Sequence, residues 1–464
     1  MMEIKDWRSV PTVTKLNAIA RKAEKDRKSK FSSLLYLLNK EYLLECYHLL
    51  EKRKAAGIDG RTVESYTEAE IGQTLEDVAN TILRGKYKPP PVKRVYIPKE
   101  NGKMRSLGMP TVVDKVIQLA VARILIAVFD SSFTDSSYGY RTKRDAHACL
   151  KAIDKMVMTE KVNCILDADI TAFFDNIDHT WMMRCLTERI NDRAFLRLIW
   201  KWLKAGVMEQ GILSSTDKGT PQGGIISPIL SNIYLHFVLD LWMEVSEKKK
   251  LSGFAGLIRY ADDFIIGFQY RIDAEKVYKD VQVRFAKFGL TLSAEKTKIV
   301  EFGRFAEKNE RRKGRKPGRF TFLGLTHYCE KTRTGKFSVK AKTDNKRLRK
   351  SIRSMRDYLS ENRIMKLDRI HKGVTVRLTG HYNYYGVSGN YERIERFYIA
   401  TVNLMFKWLN RRSERKSFNR EEFYTYLKHN PLPRPKLNFA FYTLKNGVNV
   451  SHRKAGCARG ACPV

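Results

Sequence analysis

No Cys-x-x-Cys pair occurs among the seven cysteines of this 464-residue chain, and the two nearest neighbours, Cys457 and Cys462, are too few for a zinc site. Reduced thiols are the expectation. No apolar run approaches the roughly 20 residues needed to span a bilayer, and the first 30 residues have no apolar core of the signal-peptide kind. A soluble intracellular protein is expected, with no membrane partner. Acidic residues are also scarce: 50 Asp+Glu stand against 87 Lys+Arg, a net charge of +37. The deficit is uneven. Residues 1–300 carry 48 basic and 37 acidic side chains (+11), whereas 301–464 carry 39 and 13 (+26). A solvated face explains a short charge run, but not an excess sustained over the last third, which reads as a salt-sensitive nucleic-acid surface.

What the chain does hold is a set of acidic and glycine-rich elements. Residues Arg259–Gly267, R-Y-A-D-D-F-I-I-G, set Asp262 and Asp263 between two β-rich apolar runs. Side chains alternate across a strand, so adjacent carboxylates face one ion only from a tight turn; the stretch reads as a hairpin with acid at its tip. A solvated Asp-Asp turn is the competing reading. A magnesium site would need a third carboxylate from elsewhere. Residues Cys164–His179, C-I-L-D-A-D-I-T-A-F-F-D-N-I-D-H, carry Asp167 and Asp169 on one face of an apolar strand, followed by an aromatic turn into a helix capped near Asp178. Buried acids need a partner, either a metal ion or a Lys or Arg.

Around these, helices are expected over 12–53, on the spacing of Leu34, Leu35, Leu37, Leu38, Leu43, Leu44, Tyr47 and Leu50, and from about Gln73 to Leu83. The three prolines 89–91 end that pattern. A strand at Val92–Pro98 and a turn at Asn101-Gly102 then predict a hairpin carrying Lys93, Arg94, Lys99, Lys103 and Arg105, suited to a triphosphate or a nucleic-acid strand, or simply exposed. Asp114–Phe129 reads as a core helix. Within 135–144, Tyr138 and Tyr140 could stack and Arg141 could bind phosphate, or the segment is a satisfied loop. Gly219, Gly223 and Gly224 permit close backbone approach to a ligand, with Gln222 at the entrance and a helix following through Trp242. A helix over Ile272–Phe288 leads to a turn presenting Lys296 and Lys298. Residues 306–319 read as a charged linker and Phe320–Tyr328 as one more hairpin strand. From Lys342 three stacked helices are expected, the first carrying Lys346, Arg347, Arg349, Lys350, Arg353 and Arg356. Tyrosines at 374–386 and Trp408–Arg412 suit RNA backbone and bases.

A basic flap, an acidic strand, a Gly-rich loop, an Asp-Asp hairpin and a lysine turn, in that order, fit phosphoryl transfer from a triphosphate. Two metal ions on Asp169, Asp262 and Asp263 would activate a hydroxyl and neutralise pyrophosphate, with Lys99 and Arg105 holding the triphosphate. Over nearly its whole length the sequence also resembles the group II intron reverse transcriptase/maturase proteins. The resemblance lies in D-A-D-I-T-A-F-F-D-N-I-D-H at 167–179, G-T-P-Q-G-G-I-I-S-P at 219–228, Y-A-D-D-F at 260–264 and F-L-G-L at 322–325. It implies an α+β right-hand polymerase of fingers, palm with an antiparallel sheet, and thumb, followed by a helical, basic maturase domain. The implied divisions are an N-terminal helical extension and start of the fingers at 1–85, fingers and palm at 86–340 with the palm at about 150–180 and 230–340, a helical thumb or maturase domain at 341–412, and a basic RNA/DNA-binding segment at 413–464.

By the same resemblance, Asp169, Asp262 and Asp263 would hold two Mg2+ ions, with Mn2+ as a substitute and the Ile170 carbonyl assisting. Phe174 would pack under the sugar and exclude a 2′-hydroxyl, Gln222 would line the nucleotide pocket, and Lys296 would reach the phosphates. Asp167 ranks below Asp169, and Asp175 and Asp178 read as caps or turn residues. Arg347, Arg349, Lys350, Arg353, Tyr382, Arg411 and Arg412 are the expected RNA contacts. The implied function is RNA-directed DNA synthesis on an RNA template from a DNA primer with dNTPs, joined to binding of the group II intron RNA for splicing, and to retrohoming into target DNA by target-primed reverse transcription. A homodimer is a possible assembly. The alternatives are a free-standing group II-like enzyme of repair or phage defence, and a splicing-only maturase. Nothing after Lys436 resembles the H-N-H nuclease of many relatives, so insertion would use single-stranded or nicked DNA.

Overall fold

The computed structural model describes residues 13–52, 55–98, 104–205, 207–209, 212–214, 219, 224–312, 314, 316–332, 334–414 and 416–440. The chain forms two compact units, 1–340 and 341–464.

The first unit opens with α1 (Val13–Lys25), α2 (Lys40–His48) and α3 (Glu68–Leu83). The leucines between α1 and α2 make only one 3-10 turn, Leu35–Leu37, and not the expected helix. Leu34, Leu35 and Leu38 are nonetheless buried. The backbone is diverted there because the buried Asp192 carboxylate accepts the Leu35 N–H at 2.9 Å. Helix α3 starts five residues before Gln73, where Thr67 and Glu70 close a capping box. Strands β1 (Val92–Pro98) and β2 (Met104–Met109) pair antiparallel, from Lys93 opposite Met109 to Pro98 opposite Met104. The expected turn at Asn101-Gly102, with Lys99 and Lys103, lies outside the described residues, as does the Arg105 side chain.

Helix α4 (Val112–Phe129) is apolar on nearly every face and is buried accordingly. Its one interior acid, Asp114, accepts hydrogen bonds from Tyr87 Oη, Trp202 Nε1 and Gln118 Nε2 at 2.7–2.9 Å. Those three bonds offset the cost of burial. Against α4 pack α1 and α2, and in sequence it is followed by α5 (Ala146–Thr159), β3 (Cys164–Asp169), α6 (Phe173–Asn176), α7 (His179–Thr187), α8 (Arg193–Lys204), β4 (Val207–Glu209) and β5 (Ile212–Ser214). Helix α9 (Ser227–Leu235) continues in wider π-helical turns, His236–Asp240 and Trp242–Glu247. Then come β6 (Ala255–Tyr260), β7 (Asp263–Phe268), α10 (Arg271–Lys287) and β8 (Lys298–Glu301). One sheet has the order β2-β1-β4-β5; a second is β6-β7-β3-β8, antiparallel throughout.

Residues 306–319 are not simply a linker. Ala306–Arg312 form α11, with Ala306 and Glu310 buried. Phe320–Tyr328 is not one strand but the turn and flanks of two, β9 (Arg319–Phe322) and β10 (Leu325–Lys331). The turn falls at Leu323-Gly324, both at positive φ. The chain passes from the first unit to the second within β11 (Phe337–Thr343).

Among the described residues the second unit holds α12 (Asn345–Glu361), α13 (Leu367–Tyr385), α14 (Tyr391–Leu409) and α15 (Arg420–His429), one helix more than expected. Leu348, Met355 and Leu359 recur on the buried face of α12, against a core that includes Ile370, Val374, Leu378, Ile394, Phe397 and Met405. Tyr382 belongs to that core, 3% exposed, so its expected place on an RNA-binding surface is corrected. The tyrosine sits on the face of α13 shared with Leu378 and Val374, which helical period carries inward. No helix among the described residues is long and apolar enough to cross a membrane.

Candidate active site

Tyr260 and Asp263 pair at the end of the β6–β7 ladder, leaving Ala261 and Asp262 as a two-residue turn. Ala261 has φ +57°, a left-handed backbone that costs an L-residue on the order of 1 kcal/mol. Across the other edge of β7, Asp263 stands opposite Asp169 of β3. Register alone therefore brings Asp169, Asp262 and Asp263 to one end of one sheet.

Lys296 completes the group. The segment after α10 is pinned to the end of β3: Thr171 N–H donates to Thr291 O, Ser293 N–H donates to Asp169 O, both at 2.8 Å, and Ile170 bridges Leu292. The turn that follows puts Lys296 Nζ 2.8 Å from Asp169 Oδ2. One register step away, Lys298 Nζ lies 3.7 Å from Asp167 Oδ2. Burial pushes the Asp167 carboxyl up to about 6, with Lys298 opposing the shift and Asp169 adding to it. Asp167 and Asp169 thus each face a lysine of their own.

Asp263 reaches solvent, yet its carboxyl is held up to about 7, first by partial desolvation and then by the charges of Asp262 and Asp169, with Lys296 acting against them. For a residue with solvent access the crowding of carboxylates is the firmer cause. Among the described residues, no three His, Cys, Asp or Glu side chains are gathered closely enough to hold a metal ion. The acids share one end of the sheet without closing into a coordination shell, and a lysine stands beside Asp169. Their chemistry nonetheless fits a hard divalent cation: carboxylate oxygens only, mutually repelling, at a backbone turn.

The turn after β3 runs through Ala172, at φ +45°, to Phe174, which is half-buried and edge-on to Phe173. Gly219 packs directly on this turn. Its N–H donates to Ile177 O at 2.8 Å, its carbonyl meets His179 Nε2 at 2.6 Å, and a Cβ in its place would lie 2.8 Å from Phe174 O. Only glycine allows that approach, at φ +88°. Gln222 and Gly223 lie outside the described residues. The Asp178 side chain caps α7, accepting from Trp181 N–H, as expected. Arg141 is no free phosphate ligand: its guanidinium is buried and donates to Asp130 and to the carbonyls of Thr134 and Ser137.

Sequence reasoning gave no role to Arg259, the first residue of the acidic hairpin run. It is fully buried and bidentate to Asp240 at 2.8 and 2.6 Å. The signal that could have found it is a cation inside a strand whose other residues are apolar.

A family model described as reverse transcriptase (RNA-dependent DNA polymerase) matches residues 97–327. Protein YkfC of Escherichia coli (strain K12) is 30% identical over 316 residues, 61% of this chain and 82% of that protein. The group II intron-encoded protein LtrA of Lactococcus lactis subsp. cremoris is 38% identical over 243 residues, 50% of this chain and 40% of that protein. The chain is a reverse transcriptase of the group II intron family. A 91 kDa protein in the cob intron of Schizosaccharomyces pombe is 31% identical to it over 211 residues, covering 45% of this chain and 25% of that relative. The reverse transcriptase thus spans less than half the length of each of these two intron proteins. Asp169, Phe174, Gly219, Asp262, Asp263 and Lys296 all fall within the matched polymerase region, and the family is one of RNA-dependent DNA polymerases working with divalent metal ions.

Proposed function

We propose that this reverse transcriptase extends a DNA primer on an RNA template at the acidic end of the β6-β7-β3-β8 sheet, and that it binds group II intron RNA to promote splicing and insertion by target-primed reverse transcription. The observation that carries the first part is Asp169 standing opposite Asp263 in the β3–β7 register, with Asp262 in the adjoining turn. Asp169, Asp262, Asp263 and the Ile170 carbonyl would hold two Mg2+ ions, or Mn2+. When bound, the ions supply the Lewis acidity that makes the primer hydroxyl nucleophilic and neutralises the pyrophosphate.

The chain's own groups do the rest. Lys296 is 63% exposed and long enough to turn from Asp169 to the incoming phosphates. Phe174, supported by Phe173 and Gly219, carries the sugar and excludes a 2′-hydroxyl. Gln222 lines the nucleotide pocket, and Lys99 and Arg105 hold the triphosphate. In right-hand terms the β6-β7-β3-β8 sheet is palm, the β1–β2 hairpin fingers, and the helices from α12 onward thumb and maturase domain.

The intron-binding part is supported by charge and exposure. Arg347, Arg349, Lys350 and Arg353 lie on the exposed side of α12, and Arg411 is exposed over the Trp408 ring. Arg412 contributes less, because it already donates to the carbonyls of Arg363 and Met365.

The test is Asp262→Asn. Primer extension on an RNA template should be abolished while RNA binding stays near wild type. Appreciable DNA synthesis by that variant would overturn the metal assignment.

A further inference from the structure

The Arg259 side chain satisfies every hydrogen-bond donor it has. A guanidinium carries five N–H groups. Here Nε donates to Asp240 Oδ1 at 2.8 Å, Nη2 to Asp240 Oδ2 at 2.6 Å and to Ser137 Oγ at 2.8 Å, and Nη1 to Asn232 Oδ1 at 3.0 Å and to Ala261 O at 2.9 Å. The last acceptor is the important one. Ala261 is the left-handed residue of the hairpin turn, and its carbonyl is joined directly to the nitrogen of Asp262.

A second contact holds the adjoining peptide, Tyr260–Ala261. A Cβ on Gly139 would lie 2.4 Å from Ala261 N, so the Gly139 backbone lies directly against the turn. The Gly139 carbonyl accepts Asn232 Nδ2 at 2.7 Å, and the Oδ1 of that same amide accepts from Arg259. Arg259, Asn232, Gly139 and Ala261 thereby close a ring of contacts around the turn. The backbone of Arg259 is held on the same side, its N–H donating to Ser136 O and its carbonyl accepting Tyr138 N–H. Three segments distant in sequence meet here: the acidic hairpin, the 136–139 strip, and the α9 helix with its π-helical continuation.

Filling the interior does not require this. An apolar side chain would occupy the space without the desolvation cost of an ion pair. What arginine adds is direction: a planar fork fixed by Asp240 at one edge delivers a donor to the Ala261 carbonyl at the other. Lysine keeps the charge but has one nitrogen with three donors, and cannot be bidentate to Asp240 while also reaching Asn232, Ser137 and Ala261.

We propose that Arg259 is a positioning residue for the acidic hairpin, fixing the turn so that Asp262 and Asp263 present their carboxylates to a divalent ion. The inference rests on the reading of Asp169, Asp262 and Asp263 as ion ligands. Ligand-supporting contacts of this kind are worth roughly 10–100-fold in metal affinity.

The test uses the full chain and Mn2+ alone, with free Mn2+ measured by electron paramagnetic resonance, and amide hydrogen exchange followed across 255–268. Arg259→Lys should keep the wild-type circular dichroism spectrum, weaken Mn2+ binding at least tenfold and accelerate exchange at the turn. Asn232→Ala, which opens the ring at another point, should move both readouts the same way by a smaller factor, and it carries the test if Arg259→Lys does not fold. Leu75→Ala, a buried substitution in α3, controls for lost stability and should leave Mn2+ affinity within twofold. Wild-type Mn2+ affinity and exchange in both Arg259→Lys and Asn232→Ala, with binding lost in Asp262→Asn, would overturn this inference alone. Equal Mn2+ binding by wild type and Asp262→Asn would overturn the ion-ligand reading, and this inference with it.

Discussion

Lys296 Nζ lies 2.8 Å from Asp169 Oδ2, an ion pair between residues 127 apart in the chain. The lysine is 63% exposed and the aspartate 26%, so the pair contributes at most about 1 kcal/mol. That is too weak to keep a divalent ion off three carboxylates, and strong enough to raise modestly the Mg2+ needed and to orient the ammonium until the ion arrives.

Removing the ammonium separates its two roles. Lys296→Ala should lower the rate of nucleotide incorporation by about 10–100-fold, as expected when a positioned proton donor or phosphate ligand is removed. The same variant should reach half-maximal rate at lower Mg2+, by up to about fivefold, the equivalent of ~1 kcal/mol of relieved competition. Primer extension across a Mg2+ titration reads both effects. A raised Mg2+ requirement would show that Lys296 does not compete for Asp169.

Gly219→Ala places a Cβ 2.8 Å from Phe174 O and 2.9 Å from Asp175 O, at φ +88°. All of these neighbours are backbone atoms of one turn, so no flexible group can yield. A stability loss of roughly 1–3 kcal/mol is expected from the strained backbone, together with displacement of Phe174. Urea unfolding measures the first. Competition between ribo- and deoxyribonucleotides measures the second and should show more ribonucleotide incorporated; unchanged discrimination in the folded variant would remove Phe174 from sugar selection.

His327 is buried in β10 and stacked on Phe320 at 4.8 Å, with no hydrogen-bond partner for Nε2 among the described residues. Burial pushes its pKa down to about 4, against ~6.5 in an unfolded chain. The folded state therefore prefers the neutral ring. Its stability is fully present above about pH 6.5 and falls as pH drops towards 4, by roughly 3 kcal/mol at most. His327→Phe keeps the stack and removes the proton site, so urea midpoints measured from pH 7 to 4 should decline less steeply. A residual slope should remain from His236, also buried and held down to about 4.

In the second unit, exposure separates residues that composition groups together. Replacing Arg347, Arg349 and Lys350 by Ala should weaken intron RNA binding and make its salt slope shallower by about 2–3, close to one unit for each phosphate no longer neutralised. Tyr382→Phe should leave RNA affinity unchanged, because the ring is buried. Filter binding at several salt concentrations checks both. An unchanged slope in the triple variant would take α12 out of the RNA interface.

Much of the polymerase region was legible in local pattern. The strand at Val92–Pro98, the acidic strand carrying Asp167 and Asp169, the hairpin over 259–267 and the core helix α4 all form where alternation, turn chemistry and apolar period place them, although the turn holds only Asp262 of the two acids and Asp263 opens β7. These features depend on residues a few positions apart. The segment at 306–319 has the composition of a linker, yet part of it folds as α11 because Ala306 and Glu310 find burial. Tyr382 reads as an RNA-stacking ring until helix packing turns its face inward.

The sequence by itself determined that this chain carries three carboxylates, a glycine-rich loop and a basic last third in the order of the group II intron reverse transcriptases. Tertiary structure alone decided which lysine faces which acid, and that Arg259 is committed to Asp240, Asn232, Ser137 and Ala261. The reason is physical: a strand's period is written in its own residues, whereas the partner of a charge is chosen by register and packing with segments far away in sequence.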